Sequence, residues 1–269
     1  MDDISLKDHI TQQNCLTTDV VSLGQSGFRF NILGSVLYID PYLSHHVESR
    51  SGKEYKRQVP IWRSPYEVDD ANWVLITHIH LDHCDLETLL PLSKASPTCQ
   101  FVAPALVCEH LHYHGIEKNR LQVISKTGLN IGTNIRLYAV PAAHPTIEVD
   151  VNAKWQHVGY IIEYLNKRIY HAGDTALTSE LINYVSQFKD IDTAFLPVNE
   201  MNYVRQSLGI IGNMSIRDAF YFAATLNVKK LVPMHWDMFA PNALYREEIE
   251  LHYQLSQPPF QLLINPTSI

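Results

Sequence analysis

No other stretch constrains this chain as tightly as Thr77-His78-Ile79-His80-Leu81-Asp82-His83-Cys84-Asp85, which places three histidines and two carboxylates within eight positions. It follows the apolar run Trp73-Val74-Leu75-Ile76, which reads as a buried strand. It precedes Leu86, Leu89 and Leu90, whose spacing predicts a helix with Asp85 as its N-cap. The cluster therefore sits on a strand-to-helix turn, where side chains can converge on one point. Neutral imidazole and carboxylate are ligands for zinc, manganese or iron. A His-rich surface loop has no need of this spacing, whereas a metal site needs convergent His and Asp.

The pattern His78-x-His80-x-Asp82-His83 resembles the signature of the metallo-β-lactamase superfamily. The resemblance implies an α/β fold: a four-layer αββα sandwich, two mixed β-sheets flanked by helices. It implies two divalent metal ions per chain, zinc or manganese rather than iron, at the junction of two halves. The first metal would take His78, His80 and a later histidine. The second would take Asp82, His83 and a last histidine, with a later aspartate bridging the pair. His144 follows a strand over Asn134 to Val140 and matches the third histidine. Asp174, in Ala172-Gly173-Asp174-Thr175, matches the bridging aspartate, and His235 matches the last histidine. Asp40, in the turn Asp40-Pro41-Tyr42-Leu43, and His171 would stand behind the ligands and support them.

A length of 269 residues suits one large domain or two fused halves. We read 1–17 as an N-terminal extension with a short helix over Ser5 to Gln13, and 18–269 as a single hydrolase domain. A hydrophobic content of 46% supports a substantial core and excludes disorder. Acidic residues exceed basic ones, 28 against 21, and the net charge of −7 argues against nucleic acid as a partner. No apolar run approaches the roughly 20 residues of a membrane span. Met1-Asp2-Asp3-Ile4 is acidic and lacks a signal-peptide core. Cys15, Cys84, Cys99 and Cys108 show neither CxxC spacing nor a disulfide framework, so the cytoplasm is the expected location. A homo-oligomer is left open.

Along the chain, Val20 to Gly24, Phe28 to Phe30 and Ser35 to Asp40 read as early strands. Residues 44–68 read as a long loop in which Arg50, Lys53, Lys56, Arg57 and Arg63 outnumber the acidic side chains. A basic loop in an acidic protein could receive an anionic substrate. His110, His112 and His114 alternate on a helix ending near Gly115, so they cannot share a face and read as surface histidines. His157 to Leu165 and Arg168 to His171 predict a hairpin around Asn166-Lys167. Residues 199–214 read as a polar loop, after which Ser215 caps a helix with Asp218 in a capping box. Leu231 to Met234 is a last strand, and a helix from about Leu244 follows.

Two metals bridged by Asp174 would lower the pKa of a shared water and polarise a substrate oxygen. Asp82 would be the catalytic proton acceptor. Tyr38 to Tyr42, Tyr170 to Asp174, Gly209 to Asp218 and Val232 to Phe239 look closest to the L-ascorbate-6-phosphate lactonase-like branch. That resemblance implies a small anionic substrate, a phosphorylated sugar lactone; the loops 44–68 and 199–214 offer Arg57, Arg63 or Arg205 as the anchor of its phosphate. The competing readings are a phosphodiesterase or phospholipase D-like hydrolase of the same fold, and a non-catalytic metal-binding scaffold.

Overall fold

The computed structural model describes residues 18–269, so the expected extension over 1–17 and its short helix lie outside the described residues. Strands β1 (Asp19–Gly24), β2 (Gly27–Ile32), β3 (Ser35–Ile39), β4 (Trp73–Leu75), β5 (Gln100–Ala103) and β6 (Leu121–Val123) lie side by side in chain order. A second sheet holds β7 (Leu129–Asn130), β8 (Ile135–Pro141), β9 (Val158–Tyr164), β10 (Lys167–His171), β11 (Thr193–Pro197), β12 (Lys230–Met234) and β13 (Gln261–Leu262), again in chain order. From β1 to β6 the pairings run antiparallel, antiparallel, then parallel to the end. From β8 to β13 they run in the same way. Both sheets are therefore mixed, and the chain is two copies of one strand plan.

Side-chain alternation builds the layers. On β3, Leu37 and Ile39 join one buried cluster while Val36 and Tyr38 join another. β4 and β5 repeat the split, with Leu75 and Val102 in the first cluster and Val74, Phe101 and Ala103 in the second. This period of two sets one face against the other sheet and the opposite face under helices. The helices Leu86–Ala95 and Ala105–Tyr113 supply Leu89, Leu92, Val107 and Leu111 to the outer cluster. Across the centre, the rings of Phe28 and Phe30 stand 4.7 and 5.3 Å from Phe195 of the second sheet. Each fully buried ring contributes on the order of 1.5–3 kcal/mol relative to an exposed one. On the far side, the helices Ser179–Val185 and Ile216–Thr225 bury Leu181, Val185, Phe220 and Phe222 in the central cluster. The expected four-layer sandwich is the observed fold.

The sheets are fastened to each other beside the His-rich turn. The Tyr160 hydroxyl of β9 donates to the Ile76 carbonyl at 2.6 Å, and the Val158 amide donates to the Thr77 carbonyl at 3.1 Å. Asp85 caps the following helix by accepting from the Glu87 amide, and Ser215 and Asp218 form the expected capping box.

Several local readings need correction. The β9–β10 hairpin pairs Tyr164 with Lys167, so its turn is Leu165-Asn166, one residue earlier than expected, and Leu165 takes φ 50°. Residues 44–68 are not a bare loop: they hold a helix at His46–Ser51 and short 3-10 turns at Lys53–Tyr55 and Pro65–Glu67. The polar segment 199–214 holds a helix at Tyr203–Ser207, capped by Asn202. Segments this short bury too little for an apolar period to show. Cys84, Cys99 and Cys108 are buried free thiols, and burial raises their pKa to about 12, 12 and 11. No helix among the described residues is long and apolar enough to cross a membrane.

Candidate metal centre and active-site cleft

The strand plan brings its carboxyl ends together. Asp40 follows β3, the turn 77–83 follows β4, His144 follows β8, Asp174 follows β10 and His235 follows β12. Among them, ligand atoms of three groups lie within 4.8 Å of one another: His78, His80 and His144; His78, His83 and Asp174; Asp82, His83 and His235. The structure thus gathers all seven of the expected ligands.

Asp40 organises the turn. It is fully buried, with φ 43°, and its carboxylate accepts from the Thr77 amide at 2.8 Å and the Thr77 hydroxyl at 2.6 Å. The same carboxylate lies 2.7 Å from His83 Nδ1. A carboxylate only accepts, so Nδ1 carries a proton, and Nε2 faces the centre, free to bind a metal ion that displaces its own proton. The Thr77 hydroxyl donates its proton to Asp40, so at 3.0 Å it must accept from His78 Nδ1. His78 Nε2 is then a bare lone pair, 3.0 Å from His80 Nδ1. Among the described residues His83 Nε2 is buried without a hydrogen-bond partner, 3.3 Å from Asp174 and 3.6 Å from Asp82. Replacing Asp40 by Ala should weaken metal binding roughly 10–100-fold. It should also destabilise the protein by about 1–3 kcal/mol for each buried donor left unpaired. Metal competition titration and denaturant unfolding measure the two effects separately.

Asp174 sits between the two halves of the centre. One oxygen is 3.3 Å from His83 Nε2, and the other is 3.1 Å from His235 Nε2 and 3.8 Å from His144 Nε2. Gly173 ahead of it has φ 62°, and a Cβ there would stand 2.7 Å from the Val158 carbonyl, so the turn admits only glycine. His171 is buried below this turn, where Nε2 receives no metal-facing partner and instead lies 2.9 Å from the Ser26 carbonyl. Its Nδ1 accepts from the Gly173 amide at 3.3 Å. It supports the aspartate turn from behind.

Charge divides the histidines into two sets. Burial, followed by the neighbouring imidazoles, holds His78 well below its usual pKa. Burial likewise lowers His144 and His157 to about 4. For His83, burial works against the proton, but Asp174, Asp82 and Asp40 outweigh it and raise the pKa well above normal. His235 is raised to about 9, because Asp174 and Asp82 overcome its burial. Burial alone would raise Asp82 and Asp174, and these cationic imidazoles instead hold both far down. Buried carboxylates and inward lone pairs demand positive charge at this point, and divalent cations fit that demand. His78, His80, His144 and Asp174 would hold one, and Asp82, His83, His235 and Asp174 the other.

The sequence reading missed several contributors. Gln25, in the β1–β2 turn at φ 57°, donates from Nε2 to Asp82 at 2.7 Å and lies 3.1 Å from His235 Nε2. Its backbone carbonyl accepts from the His235 amide at 2.8 Å. Asn242 lies 3.3 Å from His235 Nδ1, and Asn199 and Asn213 continue that chain of amides at 3.1 and 3.0 Å. A single Gln or Asn in a turn carries no spacing signal. His157 was read only as the start of a strand, yet its ring lies among those of His78, His80 and His144.

A cleft of about 310 Å³ opens over the centre, exposing Asp82, His80, His144, Asp174, His235, Gln25 and Asn242. Its walls are Val47, Tyr55 and Phe239 on one side and Leu81, Ile210 and Ile211 elsewhere. None of the three candidate arginines lines it. Arg57 is buried, with Nη1 donating to the Tyr42 and Ser44 carbonyls at 2.7 and 3.2 Å and Nε donating to the Val59 carbonyl at 3.0 Å. Arg205 is buried, with Nη1 donating to the Glu200 carbonyl at 2.8 Å and Nη2 to that of Ala243 at 3.2 Å. Arg63 pairs with Asp69 at 3.3 Å and lies against Trp62. The three guanidinium groups thus lie off the cleft, held by carbonyls or a surface carboxylate; among the described residues Arg57 Nη2 is buried without a hydrogen-bond partner. His110, His112 and His114 are apart from the centre, and the Nδ1 atoms of His112 and His114 lie near the Ile116 and His110 carbonyls; contrary to expectation His110 and His114, four residues apart, share a face, with their rings 4.4 Å apart.

A sandwich of two mixed sheets with clustered His and Asp at the strand ends defines the class: the metallo-β-lactamase superfamily. The chain belongs to it, since the profile of the beta-lactamase superfamily domain matches residues 36–236. It is a metal-dependent hydrolase of that superfamily. A protein of Pyrobaculum neutrophilum named "UPF0173 metal-dependent hydrolase" is 28% identical over 222 residues, 80% of this chain and 83% of that relative. A metallo hydrolase of Ignicoccus hospitalis has a similar structure, with TM-score 0.68, 20% identity, and coverage of 94% of this chain and 97% of that one. So does a possible metal-dependent hydrolase of Veillonella parvula, with TM-score 0.73, 18% identity, and coverage of 94% and 98%.

Proposed function

We propose that the chain hydrolyses a small, uncharged and partly apolar ester or lactone. The observation that carries this reading is the cleft itself: Val47, Tyr55, Leu81, Ile210, Ile211 and Phe239 wall it, and among the described residues no Lys or Arg lines it. A divalent cation held at the centre supplies Lewis acidity and brings the pKa of water toward neutrality. The chain's own residues do the rest. Asp82 keeps 20% of its side chain exposed toward the cleft and takes up the proton that the attacking water loses. Gln25 holds the Asp82 carboxylate in place through its amide. The apolar walls hold the substrate and exclude bulk water.

A phosphorylated sugar lactone would need a cationic anchor, and the cleft offers none among its lining residues. A lipid phosphodiester is the second reading, because Tyr203, Val204, Leu208 and Ile211 leave an exposed apolar segment beside the cleft. The test is kcat/KM on an uncharged lactone, its phosphorylated counterpart and a phospholipid diester. The uncharged lactone should be the best substrate. Arg205→Met should lose about 1–3 kcal/mol of stability by stranding buried carbonyls, without changing the ratio between the two lactones. A faster reaction with the phosphorylated lactone, with KM for it alone rising in Arg205→Met, would restore the phosphate anchor.

A further inference from the structure

The cleft does not end at the metal centre. Ile211 lines it and is also exposed, and Gly209 and Ile210 line it beside Ile211. Just before them in the chain, Tyr203, Val204 and Leu208 are each more than half exposed, and Met201 is exposed as well. Apolar side chains scattered singly over a surface are ordinary, but five within eleven positions form a strip. The backbone under the strip is fixed. The Leu208 amide donates to the Val204 carbonyl at 3.2 Å, so these two residues lie one helical turn apart. The Ile210 amide donates to the Arg205 carbonyl at 2.9 Å, and the Met201 amide closes the loop on the Asn213 carbonyl at 3.3 Å. Arg205, on the helix Tyr203–Ser207, turns inward to the carbonyls of Glu200 and Ala243.

What covers the strip has to match its chemistry. Arg205 is the only cationic residue between 199 and 214, and it is buried. A segment that lies on a membrane surface carries Lys or Arg on its polar side, and this one exposes neither. A protein partner takes about 20–30 residues a side, more than this segment offers. A ligand tail needs only a few apolar side chains continuous with the cleft, and Ile211 provides that continuity. The cleft volume of about 310 Å³ is at the small end of ligand sites, so a substrate with a chain of several carbons has to extend beyond it.

We propose that the substrate carries a linear apolar tail: its carbonyl lies at the metal centre, and the tail runs out past Ile211 to Leu208 and Val204. This rests on the ester or lactone reading and names the substrate class within it. Each methylene laid on the strip leaves water, so affinity increases with tail length until the tail passes Val204. The tail is remote from the reacting carbonyl and binds alike in the ground and transition states. Its contribution therefore lowers KM and leaves kcat nearly constant.

The experiment uses the full metal-loaded chain and γ-lactones with unbranched side chains from methyl to nonyl, below their micelle concentrations. Over the middle of the series kcat/KM should rise about 2–4-fold per methylene, through KM. The double variant Val204→Gln, Leu208→Gln, at two exposed positions that tolerate substitution, should flatten that gain. Leu106→Gln, at an exposed leucine on another helix, should keep it. Methyl ketones of the same chain lengths have no bond to hydrolyse and read binding alone by calorimetry; their affinities should show the same gain and the same loss. If kcat/KM and ketone affinity are both independent of length in the wild type, the tail site is overturned and the proposed function stands. A gain that survives the double variant also overturns the tail site. Ketone affinity that grows with length and is lost in the double variant, in a protein that hydrolyses no ester or lactone, would reject the proposed function and leave the tail site standing. Sedimentation of the wild type with neutral phospholipid vesicles, together with a flat series, would overturn the tail site and assign the strip to a membrane.

Discussion

Asp82→Asn should reduce kcat by about 10²–10⁴-fold, the range a positioned acid–base group contributes, with secondary structure and thermal unfolding nearly unchanged. The side chain is the most exposed carboxylate of the centre, at 20%, so the amide can be accommodated without a buried cavity. What changes is chemistry: an amide accepts no proton from the attacking water and is a poor metal ligand. The amide also meets Gln25 Nε2, now 2.7 Å from Asp82 Oδ2, and must turn its oxygen toward that donor. Steady-state kinetics on the metal-loaded variant, with metal content measured on the same sample, separates lost proton transfer from lost metal. Full turnover with metal bound would remove Asp82 from the mechanism.

Stripping the metals should have the second large effect. At a free metal concentration about 1,000 times Kd, binding stabilises the folded chain by about 4 kcal/mol. For a chain of this size that corresponds to a rise in Tm of roughly 8–16 °C. The stripped protein should remain folded, because protons on His83 and His235 then balance Asp82 and Asp174. Those protons compete with the metal, so affinity should increase with pH until both histidines have deprotonated, His235 at about 9. Calorimetry of stripped and reloaded protein across pH checks both statements. A metal-independent Tm would contradict the site.

The parts of this molecule legible in its sequence are those with a periodic or chemically dense signal. The apolar runs of β3 and β4 and the capping residues Asp85 and Ser215 appear in the fold as read. So does the run from His78 to His83 at the end of β4. Distant ligands became legible only through the family resemblance, since nothing local distinguishes His144 from any histidine after a strand. Gln25 and Asn242 were illegible because their roles depend on contacts 57 and 7 residues away in sequence. His157 looked like an ordinary strand residue because its partners come from two other turns. The arginines misled for the opposite reason. Charge is visible in sequence, but the carbonyls of Tyr42, Ser44 and Glu200 that engage Arg57 and Arg205 are not. The two-residue strands β7 and β13 are too short to carry a pattern.

The central claim is that the cluster at the strand ends holds metal and that this metal enables hydrolysis. Its most direct test is one measurement: turnover of an uncharged lactone by protein that has been stripped, then titrated with zinc or manganese. The account predicts no turnover in the stripped protein and an activity that rises with bound metal and saturates at two ions per chain. Equal hydrolysis before and after stripping would contradict it, as would full metal loading with no hydrolysis of any lactone, ester or phosphodiester.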